Sequence, residues 1–162
     1  NSDPKETLVI TVASFNSGKA NNVIPEEARL TGTIRYYKEE IGIKAKKRFY
    51  EIVEATCKAY GATSNIILNK GYPATVNHEI PSIFAYNVAK KVVGANASDN
   101  QKPMMGSEDF SYFLKKVPGS FAWIGNGESA SLHNSKYDFN DNILTIGSSF
   151  FATIAEESLI KK

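Results

Sequence analysis

The sequence has a single cysteine, Cys57, in 162 residues, so it forms no internal disulfide. A lone thiol suits a reducing compartment, and the expected location is the cytoplasm. Long hydrophobic runs are also lacking. Stretches such as Asn65 to Leu68 and Phe150 to Glu156 are broken by polar residues, far short of the roughly 20 apolar positions that span a bilayer. No membrane-spanning segment is expected. Nor does one sign of charge dominate: 19 basic side chains face 17 acidic ones, a net charge of +2. The densest basic cluster, Lys44, Lys46, Lys47 and Arg48, lies beside Glu39, Glu40, Glu51 and Glu54. It reads as a solvated helix face and leaves no footprint for nucleic acid. Internal repeats and low-complexity tracts are missing as well. The start, Asn1-Ser2-Asp3-Pro4-Lys5, has neither an initiator methionine nor a basic-then-apolar signal pattern, and reads as a cut edge of something longer.

What is present is ordinary globular material, 42% apolar and 22% charged, which excludes disorder and collagen-like structure. The β-branched run Thr7 to Phe15 reads as a strand, followed by a turn at Asn16-Ser17-Gly18. Ala28 to Tyr37 alternates, with Leu30, Ile34 and Tyr36 on one face and Arg29, Thr31, Thr33, Arg35 and Tyr37 on the other. Gly32 weakens the buried face or admits a close neighbour. From Glu39 to Tyr60, the residues Ala45, Phe49, Ile52, Val53, Thr56 and Tyr60 recur at helical spacing, and Gly61 stands where a left-handed cap belongs. Cys57 lies on that stripe as a small core residue. Ser64 to Asn69 reads as a third strand.

Strand, strand, helix, strand is the split βαββαβ sandwich without its leading βα unit. Losing the first strand would deprive Ser64 to Asn69 of a partner, and buried unpaired backbone groups are costly. Truncation is therefore expected. Gly71 to Thr75 has linker chemistry, which places a domain boundary near Pro73. Beyond it, Ile80, Ile83, Phe84, Val88 and Val92 predict a helix with Pro81 in its first turn and Gly94 at its end. Ala95 to Lys102 is a polar loop. Ser107 is suited to cap a further helix with Phe110, Phe113, Leu114 and Val117 as its core face. Ser120 to Ile124 predicts a short strand turning out at Gly125-Asn126-Gly127. Asn140 and Asp141 open a long helix whose stripe is Ile143, Ile146, Gly147, Phe150, Phe151 and Ile154.

Neither His78 nor His133 sits in a nucleophile elbow, a zinc-helix motif or a phosphate loop. His78 precedes a helix and suits a surface or capping role better than a ligand role. His133 lies in a Gly, Ser and Asn loop between a strand and a capped helix, a place where functional side chains are displayed, and is a candidate metal ligand. Arg35 either binds a carboxylate through its forked donors or is a surface charge.

The strings Asn22-Val23-Ile24-Pro25, Leu30 to Arg35, Met105-Gly106-Ser107-Glu108-Asp109-Phe110-Ser111, Trp123 to Gly127, Leu132-His133-Asn134 and Tyr137 to Asp141 occur in that order. Together they resemble the metal-dependent amidohydrolases of the hippurate hydrolase and indoleacetyl-amino-acid hydrolase type, within the aminoacylase and carboxypeptidase G metallopeptidase family. The resemblance covers nearly the whole chain. It implies a mixed α+β / α/β fold: residues 1–72 as the second half of an incomplete ferredoxin-like lid through which such enzymes dimerise, and residues 73–162 as the C-terminal part of an α/β metallopeptidase catalytic domain. It further implies that the N-terminal half, with its metal-binding cluster and general base, lies outside this sequence.

By the same resemblance His133 is the last metal ligand, Arg35 grips the substrate carboxylate, Asn22 hydrogen-bonds a substrate oxygen, and Gly106 and Ser107 line the pocket. For Ser107 the cap reading stands beside this one. The implied cofactors are two divalent ions, zinc, manganese, cobalt or nickel, and the implied reaction is hydrolysis of N-acyl-amino-acid amide bonds. One histidine cannot hold two ions, so this chain alone is expected to bind no catalytic metal tightly and to hydrolyse nothing. The expected partners are a small N-acyl amino acid, the missing N-terminal half and a second copy, with no nucleic acid and no membrane. Two other readings are a non-catalytic dimerisation or small-carboxylate-binding module, and a stand-alone ferredoxin-like regulatory domain; the latter would need residues 1–70 to close a complete sheet.

Overall fold

The computed structural model describes residues 5–159. They form two compact units. One comprises the described residues up to Ala74 together with Met105–Ser107; the other comprises Thr75–Met104 and the residues from Glu108 onward. The N-terminal residues 1–4, on which the cut-edge reading rests, lie outside the described range.

In the first unit, β1 (Leu8–Ser17) and β2 (Ala28–Tyr36) make an antiparallel ribbon. The ladder runs from Leu8 opposite Tyr36 to Val12 opposite Gly32, slips by one residue, and resumes from Ser14 opposite Thr31 to Ser17 opposite Ala28. The slip leaves Ala13 as a bulge. Strict alternation would have sent Phe15 to the face opposite Leu8, Ile10 and Val12; the extra residue returns it to their face, opposite Leu30. The apolar face is thereby kept continuous, and Thr31, Thr33 and Arg35 share the other.

Helix α1 (Glu39–Ala59) covers one end of that apolar face, with acidic Glu39 and Glu40 in its first turn and basic Lys58 in its last, as the helix dipole favours. Gly42 and Ala45 are buried, and Phe49, Val53 and Cys57 continue the stripe half-buried. Gly42 lies against the ring of Tyr36, where any Cβ would overlap ring atoms. Lys46 Nζ donates to the Tyr36 hydroxyl at 2.9 Å and sits 5.2 Å from the ring centroid. The helix ends as its sequence predicts. Gly61 takes φ +68°, Gly61 N–H donates to Lys58 O and Ala62 N–H to Cys57 O, a Schellman closure. Three expected stripe residues fall outside the buried arc, since Ile52, Thr56 and Tyr60 are exposed. A ribbon of two strands shields only the Ala45, Phe49, Val53, Cys57 row. The basic cluster is solvated at Lys44, Lys47 and Arg48, as expected, while Lys46 is drawn onto Tyr36.

The expected strand Ser64 to Asn69 does not form. A strand exists only as part of a ladder, and among the described residues neither ribbon edge pairs with this segment. Two strands do not close a ferredoxin-like sheet, which removes the structural basis of the stand-alone regulatory reading.

In the second unit, α2 (Glu79–Val93) starts after His78 and stops at Gly94, which has φ +57°. Its Val88 is fully buried, and the helix packs against α4 (Leu144–Leu159). Entry to α4 is through a 3₁₀ turn at Asp141–Ile143, opened by Asn140, whose Oδ1 accepts from Asn142 N–H. Ile143, Gly147, Phe150 and Ile154 form its half-buried stripe, whereas Ile146 and Phe151 point outward. Between these helices in the sequence comes α3 (Ser111–Leu114), a single turn that buries Leu114 but leaves Phe113 and Val117 exposed. Four residues are too few to present the core face expected of them.

The expected strand Ser120 to Ile124 also has no ladder. Instead, the Asn77 carboxamide donates to Phe121 O and accepts from Phe121 N–H, both at 2.8 Å. His78 N–H donates to Gly119 O at 3.0 Å while Gly119 N–H donates to His78 Nδ1 at 3.1 Å. Side chains here replace a neighbouring strand, and His78 acts through its backbone at the start of α2 and its ring on Gly119. Among the described residues, no helix is long and apolar enough to cross a membrane.

Candidate substrate and metal residues

Arg35 is set on the polar face of β2, opposite Val9. Its Nη1 donates to the carbonyl oxygen of Met105 at 2.6 Å and to Ser107 Oγ at 3.1 Å. Both acceptors are neutral, so the guanidinium keeps its positive charge, and these contacts use only Nη1 of a group with five N–H donors. The fork therefore still offers Nε and Nη2 to an anion. Gly106 lies between the two acceptors, and an added Cβ there would meet nothing within 4 Å. Arg35, Gly106 and Ser107 are thus gathered within the first unit. Asn22 is exposed in the turn between β1 and β2.

The cap reading of Ser107 fails. The helix it was expected to open begins four residues later, at Ser111, and its hydroxyl is engaged by Arg35. The residue preceding that helix is Phe110, whose N–H donates to Glu108 Oε1 at 3.3 Å.

His133 belongs to the second unit and is exposed on a loop. Its φ of +67° makes it the one residue other than glycine with a left-handed backbone among the described residues. Asn134 N–H donates to Ser131 O at 3.1 Å, so His133 is the third residue of a tight turn, the place usually given to glycine. The base of the loop is held by side chains: Asn126 bonds to Asp138 O and Asn140 N–H, and Ser129 to both backbone groups of Asp138.

As a donor set, the described residues do not complete a metal site. No group of three or more His, Cys, Asp or Glu side chains converges among them, whereas a zinc-type site takes three or four protein ligands. A neutral imidazole at an exposed loop apex can supply one of these.

Sequence reasoning did not single out the Met105 carbonyl, Asn126 or Ser129. A backbone acceptor leaves no mark in side-chain identity. Asn126 sits between two glycines and reads as turn material, and Ser129 as generic loop.

The model of "Peptidase family M20/M25/M40" matches residues 5–157. Hippurate hydrolase of Campylobacter jejuni is 33% identical over 156 residues, covering 96% of this chain and 41% of the relative. The IAA-amino acid hydrolase ILR1-like 4 of Arabidopsis thaliana is 32% identical, covering 98% of this chain and 38% of its own length. The crystal structure of the YXEP protein of Bacillus subtilis, described as a dinuclear metal binding peptidase, superposes with a TM-score of 0.76 at 25% identity, over 96% of this chain and 43% of that one. This chain thus spans about two fifths of the relatives it matches, and its mixed α and β architecture is theirs. A match that takes in all but the two ends of the sequence establishes that the chain belongs to peptidase family M20/M25/M40.

Proposed function

We propose that this chain is part of a di-metal amidohydrolase that cleaves N-acyl-amino-acid, hippurate-like amide bonds. In this reading residues 1–72 are the second half of a lid through which two copies pair, and residues 73–162 the C-terminal part of the catalytic domain. Arg35 grips the free carboxylate of the substrate, Asn22 hydrogen-bonds one of its oxygens, Gly106 and Ser107 line the pocket, and His133 gives one imidazole to one of two divalent ions, zinc, manganese, cobalt or nickel. The remaining ligands and the general base come from residues outside this sequence, and the protein works in the cytoplasm. When bound, the metal pair would supply an acidified water and a counter-charge for the oxyanion.

The observation that carries the reading is Arg35 with its guanidinium at Met105 and Ser107, a full positive charge with donors left for a carboxylate. The names of the relatives support the substrate class, since two of them are a hippurate hydrolase and an IAA-amino acid hydrolase. The test is a titration of the isotope-labelled chain with hippurate and, in parallel, with its neutral glycinamide counterpart. Shifts at Arg35 Nε and the Ser107 amide with hippurate alone are expected. Equal shifts with both compounds would remove the carboxylate role. Incubated with hippurate and any of the four metals, this chain alone is expected to release no glycine.

A second reading is a non-catalytic dimerisation or small-carboxylate-binding module. It rests on the Arg35 fork, which can hold a small carboxylate without any metal. The two readings part on His133, whose replacement matters only where the remaining metal ligands are supplied.

A further inference from the structure

We infer that Asn126 and Ser129 are positioning residues for His133: they close the base of its loop and so hold its backbone in the left-handed turn that aims the imidazole. The inference rests on the proposed ligand role of His133 only for its functional meaning; the loop geometry stands by itself.

Histidine at the third position of a turn that demands positive φ is strained relative to glycine, because its Cβ crowds the backbone there. Such a conformation persists where the surroundings over-determine it. Two hydrogen bonds lie close to the strained residue, Asn134 N–H to Ser131 O at 3.1 Å and Tyr137 N–H to Asn134 O at 3.0 Å. Asn134 Oδ1 adds a third by accepting from Lys136 N–H at 2.9 Å. All three are local and would travel with the loop if its ends parted.

The ends are fixed from further away. Asn126 Nδ2 donates to Asp138 O at 2.7 Å and Asn126 Oδ1 accepts from Asn140 N–H at 2.8 Å, so one carboxamide spans the loop base. Ser129 Oγ donates to the same Asp138 O at 3.1 Å and accepts from Asp138 N–H at 3.2 Å. Asp138 therefore has both backbone groups satisfied by side chains from the opposite limb. Asn140 in turn opens the entry to α4, which anchors the clamp to the packed part of the unit.

The test is nuclear magnetic resonance of the whole 162-residue chain, wild type against Asn126→Ala, Asn126→Asp, Ser129→Ala and the double alanine variant. The readout is the intraresidue amide-to-Hα cross-peak of His133, which is strong only when φ is positive. It is expected to fall by about two-fold or more in Asn126→Ala and further in the double variant, as the turn relaxes to ordinary φ values. Asn126→Asp keeps the acceptor for Asn140 N–H but loses the donor to Asp138, and is expected to lie between wild type and Asn126→Ala. Resonances of β1, β2 and α1 report that the first unit is intact, and those of α2 and α4 do so for the second. Should Asn126→Ala disturb α4 through Asn140, Ser129→Ala gives the same signature without touching that residue. A double variant that keeps α2 and α4 folded and retains the full His133 cross-peak overturns the inference. The underlying reading is judged separately: where the proposed remaining ligands are supplied, His133→Ala is expected to lower the bound metal content, and an unchanged content ends the ligand role, while the clamp is still judged by the cross-peak.

Discussion

Arg35 donates from Nη1 to the carbonyl oxygen of Met105 at 2.6 Å, across 70 positions of sequence. That bond and its companion to Ser107 join the polar face of β2 to the Met105–Ser107 segment and fix one edge of the guanidinium.

Replacing Arg35 by lysine keeps the charge but not the fork, since an ammonium is a single point of charge on a flexible stem. Hippurate binding by Arg35→Lys is expected to weaken by roughly 10-fold and by Arg35→Ala by up to about 100-fold, the range set by charge-assisted hydrogen bonds. Calorimetric or resonance titration checks this; a lysine variant as tight as wild type would mean that charge alone is recognised.

The contact between Gly42 and Tyr36 leaves no room for a side chain. Gly42→Ala gains helix propensity but must push the ring or the helix away, and overpacking of this kind costs about 1–3 kcal/mol. Urea unfolding followed through β1, β2 and α1 is expected to show a net loss in stability. A neutral or stabilised Gly42→Ala would refute the close approach.

The Lys46 ammonium is held above the ordinary lysine pKa, first by its hydrogen bond to Tyr36, against a smaller opposing effect of burial. A raised folded-state pKa means stability that is fully present below the unfolded lysine value and lost as pH climbs through the folded one. Wild type is therefore expected to lose its small advantage over Tyr36→Phe in alkaline solution, above the ordinary lysine pKa of about 10.4. Parallel unfolding curves from neutral to alkaline pH measure it, and a constant difference would show that the hydrogen bond contributes no linkage.

Positive φ at His133 predicts an inverse relation between stability and chemistry. His133→Gly removes the Cβ that crowds the turn, and is expected to stabilise the second unit by about 0.5–1 kcal/mol, offset in part by the entropy of glycine in the unfolded chain. His133→Ala keeps the strain and gains nothing. Thermal unfolding of the two variants decides the matter, and equal midpoints would dismiss the strain.

Helices α1, α2 and α4 were legible because their signals are local, whereas α3 was expected to be longer than its single turn. The Ala45, Phe49, Val53, Cys57 row, the stops at Gly61 and Gly94, and the opening of α4 at Asn140 each depend on residues a few positions apart. The family strings were equally legible, being contiguous. Width of burial was not: Ile52 and Tyr60 have the right spacing for α1, yet a two-stranded ribbon is too narrow to cover them.

What the sequence determined by itself, then, is where α1, α2 and α4 begin and where α1 and α2 end, which strand face is apolar, and which motifs are present. Tertiary structure alone decided that Ala13 bulges to keep Phe15 with its apolar neighbours, and that Ser64 to Asn69 finds no ladder. It also decided that Ser107 serves Arg35 rather than a helix, and that His133 sits where a glycine would be expected. The reason is physical: a ladder, a bulge or a long-range hydrogen bond depends on a partner far away in sequence, and its geometry exists only once the chain has brought the two together.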